Sequence, residues 1–228
     1  MHFRKPQESA PFNPQQVQQL KKLVSQGESL TLEFKRKAAF PEKIVREIIA
    51  LANTKGGILL IGIGDDKSIP GLKHPEDDSH VLQKALRQCR PAIVLHETFI
   101  PIGDARTVIQ YEIPESQKKP HYFVDQEKQF SYVRVDDKSI QASREMREIT
   151  KRSQHKKDIR FHYGDHERLL MQYLDEHASI TLERFRQISG LKKFYASKKL
   201  VILVLADVLR ITPTERGDVY SLAFKAKT

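Results

Sequence analysis

The segment 28–72 constrains the fold of this 228-residue chain more than any other part of the sequence. Apolar and polar residues alternate over 30–35, which predicts a half-buried strand. Pro41 opens a helix with one apolar face, and Gly56 and Gly57 are interpreted as its end. The near-continuous apolar run 58–63 predicts a second strand that is covered on both faces. A strand-helix-strand crossover of this kind can place its two strands side by side.

Weaker sequence patterns predict the remaining helices and strands of the N-terminal part of the chain. Asn13 and Pro14 predict the start of a helix that Gly27 ends. A further helix is predicted over 81–89, followed by strands around 93–100, 107–113 and 130–135. The segment 144–160 carries seven basic and three acidic residues and predicts a helix that runs into a charged linker. The expected fold class of this part is α/β, with a mixed α+β sheet.

The C-terminal part has the element order of a winged helix. Three amphipathic helices are predicted at about 169–174, 182–189 and 193–208, and a hairpin closes the chain around the polar turn 214–218. The predicted organisation is therefore a flexible arm (1–13), the α/β domain (14–150), a charged linker (151–162) and a small winged helix-turn-helix domain (163–228). Winged helices also serve as protein adaptors, and the apolar run 200–205 could instead bury one face against a second subunit.

A winged helix predicts which side chains would contact nucleic acid. Its third helix enters the major groove and its hairpin lies along the backbone. The side chains expected to meet phosphates or base edges are Lys192, Lys193, Tyr195, Lys198, Lys199 and Arg216.

Charge and cysteine usage narrow the class of protein. The chain has 39 Lys and Arg against 29 Asp and Glu, a formal charge of +10, which favours an anionic partner such as nucleic acid. Cys89 is the single cysteine, so an intramolecular disulfide is excluded and a cytoplasmic location is expected. The longest aliphatic run is too short to span a bilayer, so no membrane partner is expected. His121, His162 and His166 are interpreted as surface residues.

Four acidic residues in the 28–72 segment are the candidates for chemistry: Glu28, Glu33, Asp65 and Asp66. Brought together by the crossover, they could hold Mg²⁺ or Mn²⁺ and activate water for attack on a phosphodiester. Glu28 and Glu33 are five positions apart, so a regular strand would point them to opposite sides unless the chain bends before Leu30. The alternative is structural: Glu33 pairs with Lys35 or a nearby arginine, and the aspartates only form a turn.

Gly62 and Gly64 do not form a nucleotide-binding loop. A dinucleotide fingerprint requires a third glycine and a following helix, whereas here two aspartates follow and would repel phosphate. A Walker lysine at the right spacing is also missing from the sequence. ATP is therefore not expected as a ligand.

The same segment resembles the Schlafen-type AlbA domain family, often labelled a divergent AAA ATP-binding domain or a transcriptional regulator. The resemblance rests on Leu32-Glu33-Phe34-Lys35, Ala52-Asn53-Thr54, Gly56-Gly57 and the stretch from Ile61 to Gly71, with Pro120-His121-Tyr122 and Tyr132-Val133-Arg134-Val135 further on. It covers about 14–150 and implies a mixed α/β domain associated with nucleic acid. In the eukaryotic Schlafen branch, two Glu and one Asp cleave structured RNA; they fall on Glu28, Glu33 and either Asp65 or Asp66. That nuclease pairs two such domains, whereas this sequence covers one, so a homodimer would be needed here to build a comparable RNA-binding cleft.

Two functional hypotheses follow. The first is a DNA-binding transcriptional regulator in which the winged helix reads a site and the N-terminal domain oligomerises or senses a ligand. The second is a metal-dependent endoribonuclease that acts on structured RNA through the acidic residues. The first is favoured because it explains both the C-terminal architecture and the positive charge, so DNA is expected as a partner ahead of RNA.

Overall fold

The computed structural model describes residues 12–154, 159 and 161–224. Most of the predicted arm, and residues 155–158 and 160 of the predicted charged linker, lie outside the described residues. Contacts divide the chain into two compact units, one up to Ser139 and one from Ile140 onward. The first domain was predicted to extend to residue 150, whereas this division assigns residues 140–150 to the second unit. Each unit is described by itself.

The first unit is a mixed α/β structure, as predicted. Its main sheet has the strand order β1-β2-β5-β4; β1 and β2 are parallel, and β5 is antiparallel to both β2 and β4. A small second sheet has the order β3-β6-β7. The elements are α1 (Pro14–Gln26), β1 (Leu32–Lys35), α2 (Pro41–Asn53), β2 (Gly56–Ile61), α3 (Pro75–Leu86), β3 (Cys89–Arg90), β4 (His96–Gly103), β5 (Arg106–Pro114), β6 (Tyr122–Asp125), β7 (Lys128–Phe130) and β8 (Tyr132–Val135), with β9 (Lys138–Gln141) at the division.

The central strand β2 is covered on both faces. Leu59 and Ile61 belong to the core cluster built on the apolar face of α2, whereas Leu60 packs in the cluster that contains Leu20 and Val24 of α1. Alternate residues of a strand point to opposite faces, so a continuous apolar run is what two covering helices require. The predicted strand-helix-strand crossover is confirmed, since β1 and β2 are parallel neighbours joined by α2.

Several predicted details of this unit were wrong. The polar side of β1 is also covered, since Glu33 is only 4% exposed. Gly56 and Gly57 do not end α2, which stops at Asn53; they begin β2. A Cβ on Gly57 would lie 2.3 Å from the Thr31 carbonyl oxygen, so this position needs glycine for the close approach of β2 to the entry of β1.

Other element boundaries also differ from the prediction. Helix α3 starts at Pro75, six residues before the predicted start, because three acidic residues in its first turn suit a helix N-terminus. The short strands β6, β7 and β9 were not predicted; each has only three or four residues and little apolar alternation.

The second unit holds four helices and a three-stranded antiparallel sheet with the order β10-β12-β11. Thr181 caps α6 through its side chain, and Gly190 ends that helix with φ of 69°. Its core joins Leu170, Phe185 and Tyr220. The elements are α4 (Arg144–Ser153), α5 (Asp165–Glu176), β10 (Ile180–Thr181), α6 (Leu182–Ser189), α7 (Lys193–Leu205), β11 (Leu209–Thr212) and β12 (Val219–Leu222).

Helix α7 is apolar on two sides, and both are covered within this unit. One side enters the core through Leu200 and Leu203. The other, through Val201 and Leu205, packs with Ile149 of α4. The face that the sequence offered to a second subunit is thus occupied by α4, and the predicted homo-oligomer requires another surface. In the described part of the chain, no helix is long and apolar enough to cross a membrane.

A buried amide network fastens α2 to the segments that follow β5 in the first unit. The Asn53 side chain donates to the carbonyl oxygens of His121 and Tyr132 and accepts from the His121 backbone amide at 2.7 Å. His121 was interpreted as a surface residue, but it is 1% exposed. Its Nδ1 lies 2.8 Å from the Pro91 carbonyl, which can only accept, and its Nε2 lies 2.6 Å from the Ser116 hydroxyl. Because the Pro91 carbonyl can only accept, Nδ1 carries a proton, and burial of the ring favours the neutral form.

The His121 environment predicts acid sensitivity. Burial lowers the pKa of His121 in the folded protein, opposed by the Pro91 carbonyl. Near and below the ordinary histidine pKa of about 6.5, the unfolded chain therefore binds more protons than the folded protein. The free energy of unfolding that is present above this pH is lost as the pH falls towards the lowered pKa of the folded state. We expect the urea midpoint to fall between pH 7.5 and pH 5, and to fall less in His121→Asn, whose amide retains a donor for Pro91. An equal pH dependence in both proteins would contradict this assignment.

Candidate functional site

The Glu28 and Glu33 side chains meet, despite their spacing along the chain. The backbone reverses just before β1, where the Ser29 amide donates to the Leu32 carbonyl at 2.9 Å. This reversal returns Glu28 to the strand, and its carboxylate accepts from the Phe34 amide at 3.0 Å. Burial raises the pKa of Glu28, and the hydrogen-bonded Glu33 carboxyl adds to the rise. The turn that brings the two carboxylates together lies at Leu30 and Thr31, whereas the sequence predicted the bend before Leu30.

Glu33 is engaged by two cations. Its Oε2 accepts from Arg134 Nη1 at 2.7 Å, and its Oε1 pairs with the Lys35 ammonium. The structural interpretation of Glu33, pairing with Lys35 or a nearby arginine, is confirmed for both partners. A carboxylate whose two oxygens already pair with cations is a weaker ligand for a metal ion than a free carboxylate.

Arg134 is the centre of this cluster, and the sequence did not identify it as a site residue. Its fully buried guanidinium also reaches Glu47 at 2.9 Å through Nη1 and the Ser29 carbonyl at 2.6 Å through Nη2. Ser139 bonds both Arg134 and Glu47. The Arg134 Nε has no hydrogen-bond partner among the described residues. The one available signal was the position of Arg134 in the Tyr132–Val135 motif.

Asp65 and Asp66 lie in the exposed turn that follows β2. Asp66 Oδ1 accepts from the Ser68 amide at 3.1 Å and the Ser68 hydroxyl at 2.5 Å, and these bonds lower the pKa of Asp66. The Gly64 amide closes the turn on the Ser68 carbonyl at 2.9 Å. Asp66 therefore caps its own turn, as an aspartate at such a position commonly does.

The predicted acidic cluster does not form a cation site in this arrangement. In residues 12–154, 159 and 161–224, no three His, Cys, Asp or Glu side chains are grouped so that they could hold a metal ion. Glu28 and Glu33 come together, but Arg134 and Lys35 supply the positive charge beside Glu33. These residues do not fit Mg²⁺ or Mn²⁺, which require several oxygen ligands around one point.

The predicted nucleic-acid side chains of the second unit lie mostly at the start of α7 and at the hairpin turn. Lys192, Lys193, Tyr195 and Lys198 are exposed, and so is Arg216 in the turn between β11 and β12. Lys199 is different: its ammonium pairs with the buried carboxylate of Glu167, which also accepts from the Gly164 amide at 3.0 Å. Lys199 therefore ties α7 to the start of α5.

The chain belongs to the family described as Schlafen, AlbA_2, whose model matches residues 28–143. This range begins at Glu28 and ends just after β9, so it includes Glu33, Asn53 and Arg134.

Two solved structures are similar to the chain. One is the N-terminal domain of an ATP-dependent DNA helicase RecG-related protein from Nitrosomonas europaea, with 20% identity and a TM-score of 0.40 over 64% of this chain and 97% of that one. The other is the DIP2311 protein from Corynebacterium diphtheriae, with 15% identity and a TM-score of 0.45 over 90% of this chain and 38% of that one. Neither TM-score reaches 0.5, so neither adds to the fold described above. No curated protein matches the chain by sequence.

Replacing Glu33 is predicted to destabilise the first unit. Glu33→Ala leaves the buried Arg134 guanidinium with Glu47 as its only carboxylate, and we expect a loss of about 2–3 kcal/mol in the free energy of unfolding. Glu33→Gln keeps an acceptor for Nη1 and should cost less than half as much. Urea denaturation followed by circular dichroism measures both. A Glu33→Ala protein as stable as the wild type would show that the ion pair is dispensable.

Proposed function

We propose that this protein binds nucleic acid, DNA ahead of RNA, and that its C-terminal unit is a winged helix that contacts the ligand through the first two turns of α7. The observation that carries the proposal is the set of exposed lysines at the N-terminal end of that helix, Lys192, Lys193 and Lys198.

Positive charge is concentrated in the second unit. Residues 140–228 hold 18 Lys and Arg against 11 Asp and Glu, a surplus of +7 in a chain whose total is +10. Lysine and arginine that neutralise phosphates release counterions, which supplies most of the affinity for nucleic acid. A basic surplus concentrated in one unit supports binding at that unit.

The element order supports the assignment of α7 as the reading helix. In the proposed winged helix, α5, α6 and α7 are the three helices, β11 and β12 form the wing, and β10 completes the small sheet. Recognition helices contact bases mainly through their N-terminal residues. That end of α7 is exposed, whereas Val201 and Leu205 further along are covered by α4. The wing carries Arg216 towards the phosphate backbone.

Lysine variants test the proposal. Lys193→Ala and Lys198→Ala should each weaken binding to a 20-base-pair duplex and lower the slope of log affinity against log salt by about one. Fluorescence anisotropy between 50 and 200 mM KCl gives both quantities. Lys84→Ala on α3 in the first unit is the matched control and should leave both unchanged. Unchanged affinity in the two α7 variants would refute the proposal. Lys199 is unsuitable as a probe because of its bond to Glu167.

A second candidate is the endoribonuclease, favoured by the contact between Glu28 and Glu33. Glu28 is the side chain to test because its single backbone bond, to Phe34, can be kept by glutamine. If the protein cleaves structured RNA, Glu28→Gln should lower the rate at least a hundredfold at unchanged thermal stability. Cleavage unaffected by Glu28→Gln, or absent from the wild type over several structured RNAs, would remove this candidate.

A further inference from the structure

The start of α7 carries two large aromatic side chains that the core does not use. Phe194 and Tyr195 are 58% and 56% exposed, although they are adjacent on the first turn of a well-packed helix. Single exposed apolar residues are common, but neighbouring exposed aromatic rings mark a contact surface. The following residue, Ala196, and then Leu200 face the core, so folding of the unit does not require either ring.

The two rings present their faces in different directions. Their centroids are 5.5 Å apart and their planes are inclined by 79°, an edge-to-face arrangement. Neighbouring bases in a duplex lie parallel to each other, so rings at this angle cannot both stack on bases of one intact helix. Unpaired bases, whose backbone can splay, can each take one ring face.

The charges around the rings suit a phosphate backbone. Lys192, Lys193 and Lys198 are exposed beside the aromatic pair. Phe194 and Lys198 also line a groove against α4, where Arg144 and Arg152 contribute positive charge. Of the two acids in that groove, Glu145 accepts from the Ser197 hydroxyl at 2.6 Å and Glu148 lies 3.9 Å from Arg152. The groove therefore keeps a positive surplus.

We infer that Phe194 and Tyr195 form a base-stacking platform for single-stranded nucleic acid, with the α7 lysines on its phosphates. This inference rests on the proposed function and refines it: the preferred ligand is an unpaired strand, or a strand emerging from a duplex end. The rings supply affinity without sequence preference, since every base has a stackable face.

The test compares a labelled 12-nucleotide single strand with a duplex of the same length by fluorescence anisotropy. The wild type should bind the single strand more tightly. Phe194→Ala and Tyr195→Ala should each weaken single-strand binding about tenfold and change duplex binding less than twofold. Phe194→Tyr should retain binding, whereas Phe194→Leu, which keeps the bulk without the ring, should not. A 2-aminopurine in the strand reports stacking directly, through fluorescence quenching that the alanine variants should lose.

Controls separate this inference from the function on which it rests. Phe40→Ala removes an equally exposed ring from the first unit and should change nothing. Single-strand binding that survives the alanine variants, or that Phe194→Leu restores, would overturn the platform. Lysine-dependent duplex binding with no preference for single strands would overturn the platform and leave the proposed function standing. Binding to neither ligand would refute both.

Discussion

The buried guanidinium of Arg134 is the interaction on which the arrangement of the 28–72 segment depends. It joins the strand β1 through Glu33, the helix α2 through Glu47 and the reversal before β1 through the Ser29 carbonyl. Taking an arginine out of water is costly unless its donors are met, and here both terminal nitrogens have acceptors. The position of Glu28 beside Glu33 is a consequence, because the same reversal that meets Arg134 returns Glu28 to the strand.

The two units divide the functional possibilities between them. In the first, Glu33 balances buried positive charge and Asp66 closes a turn. In the second, basic and aromatic side chains are exposed at the start of α7. Lys199 is less exposed because its ammonium pairs with the buried carboxylate of Glu167. These exposed side chains are the surface that the proposed function assigns to nucleic acid.

Much of the fold could be predicted because its local signals agree. The apolar run of β2 and the apolar face of α2 together require a covered strand and a crossover, and Thr181 and Gly190 mark the ends of α6 by capping chemistry. The site was less predictable because it depends on long-range partners. Arg134 is 101 positions from Glu33 and 87 from Glu47, and a local sequence pattern does not predict a pairing over such a separation. The prediction that His121 lies at the surface was wrong for the same reason. Its backbone amide is bound by the side chain of Asn53, which is 68 positions away.

The structural pairing of Glu33 with Arg134 can be measured directly. A double-mutant cycle of Glu33→Leu, Arg134→Met and the combined variant measures that coupling in the free energy of unfolding. If the two side chains act together, the combined variant should be more stable than the sum of the single losses predicts, by about 1–3 kcal/mol. Strictly additive losses would show that Glu33 is independent of Arg134 and would contradict this pairing.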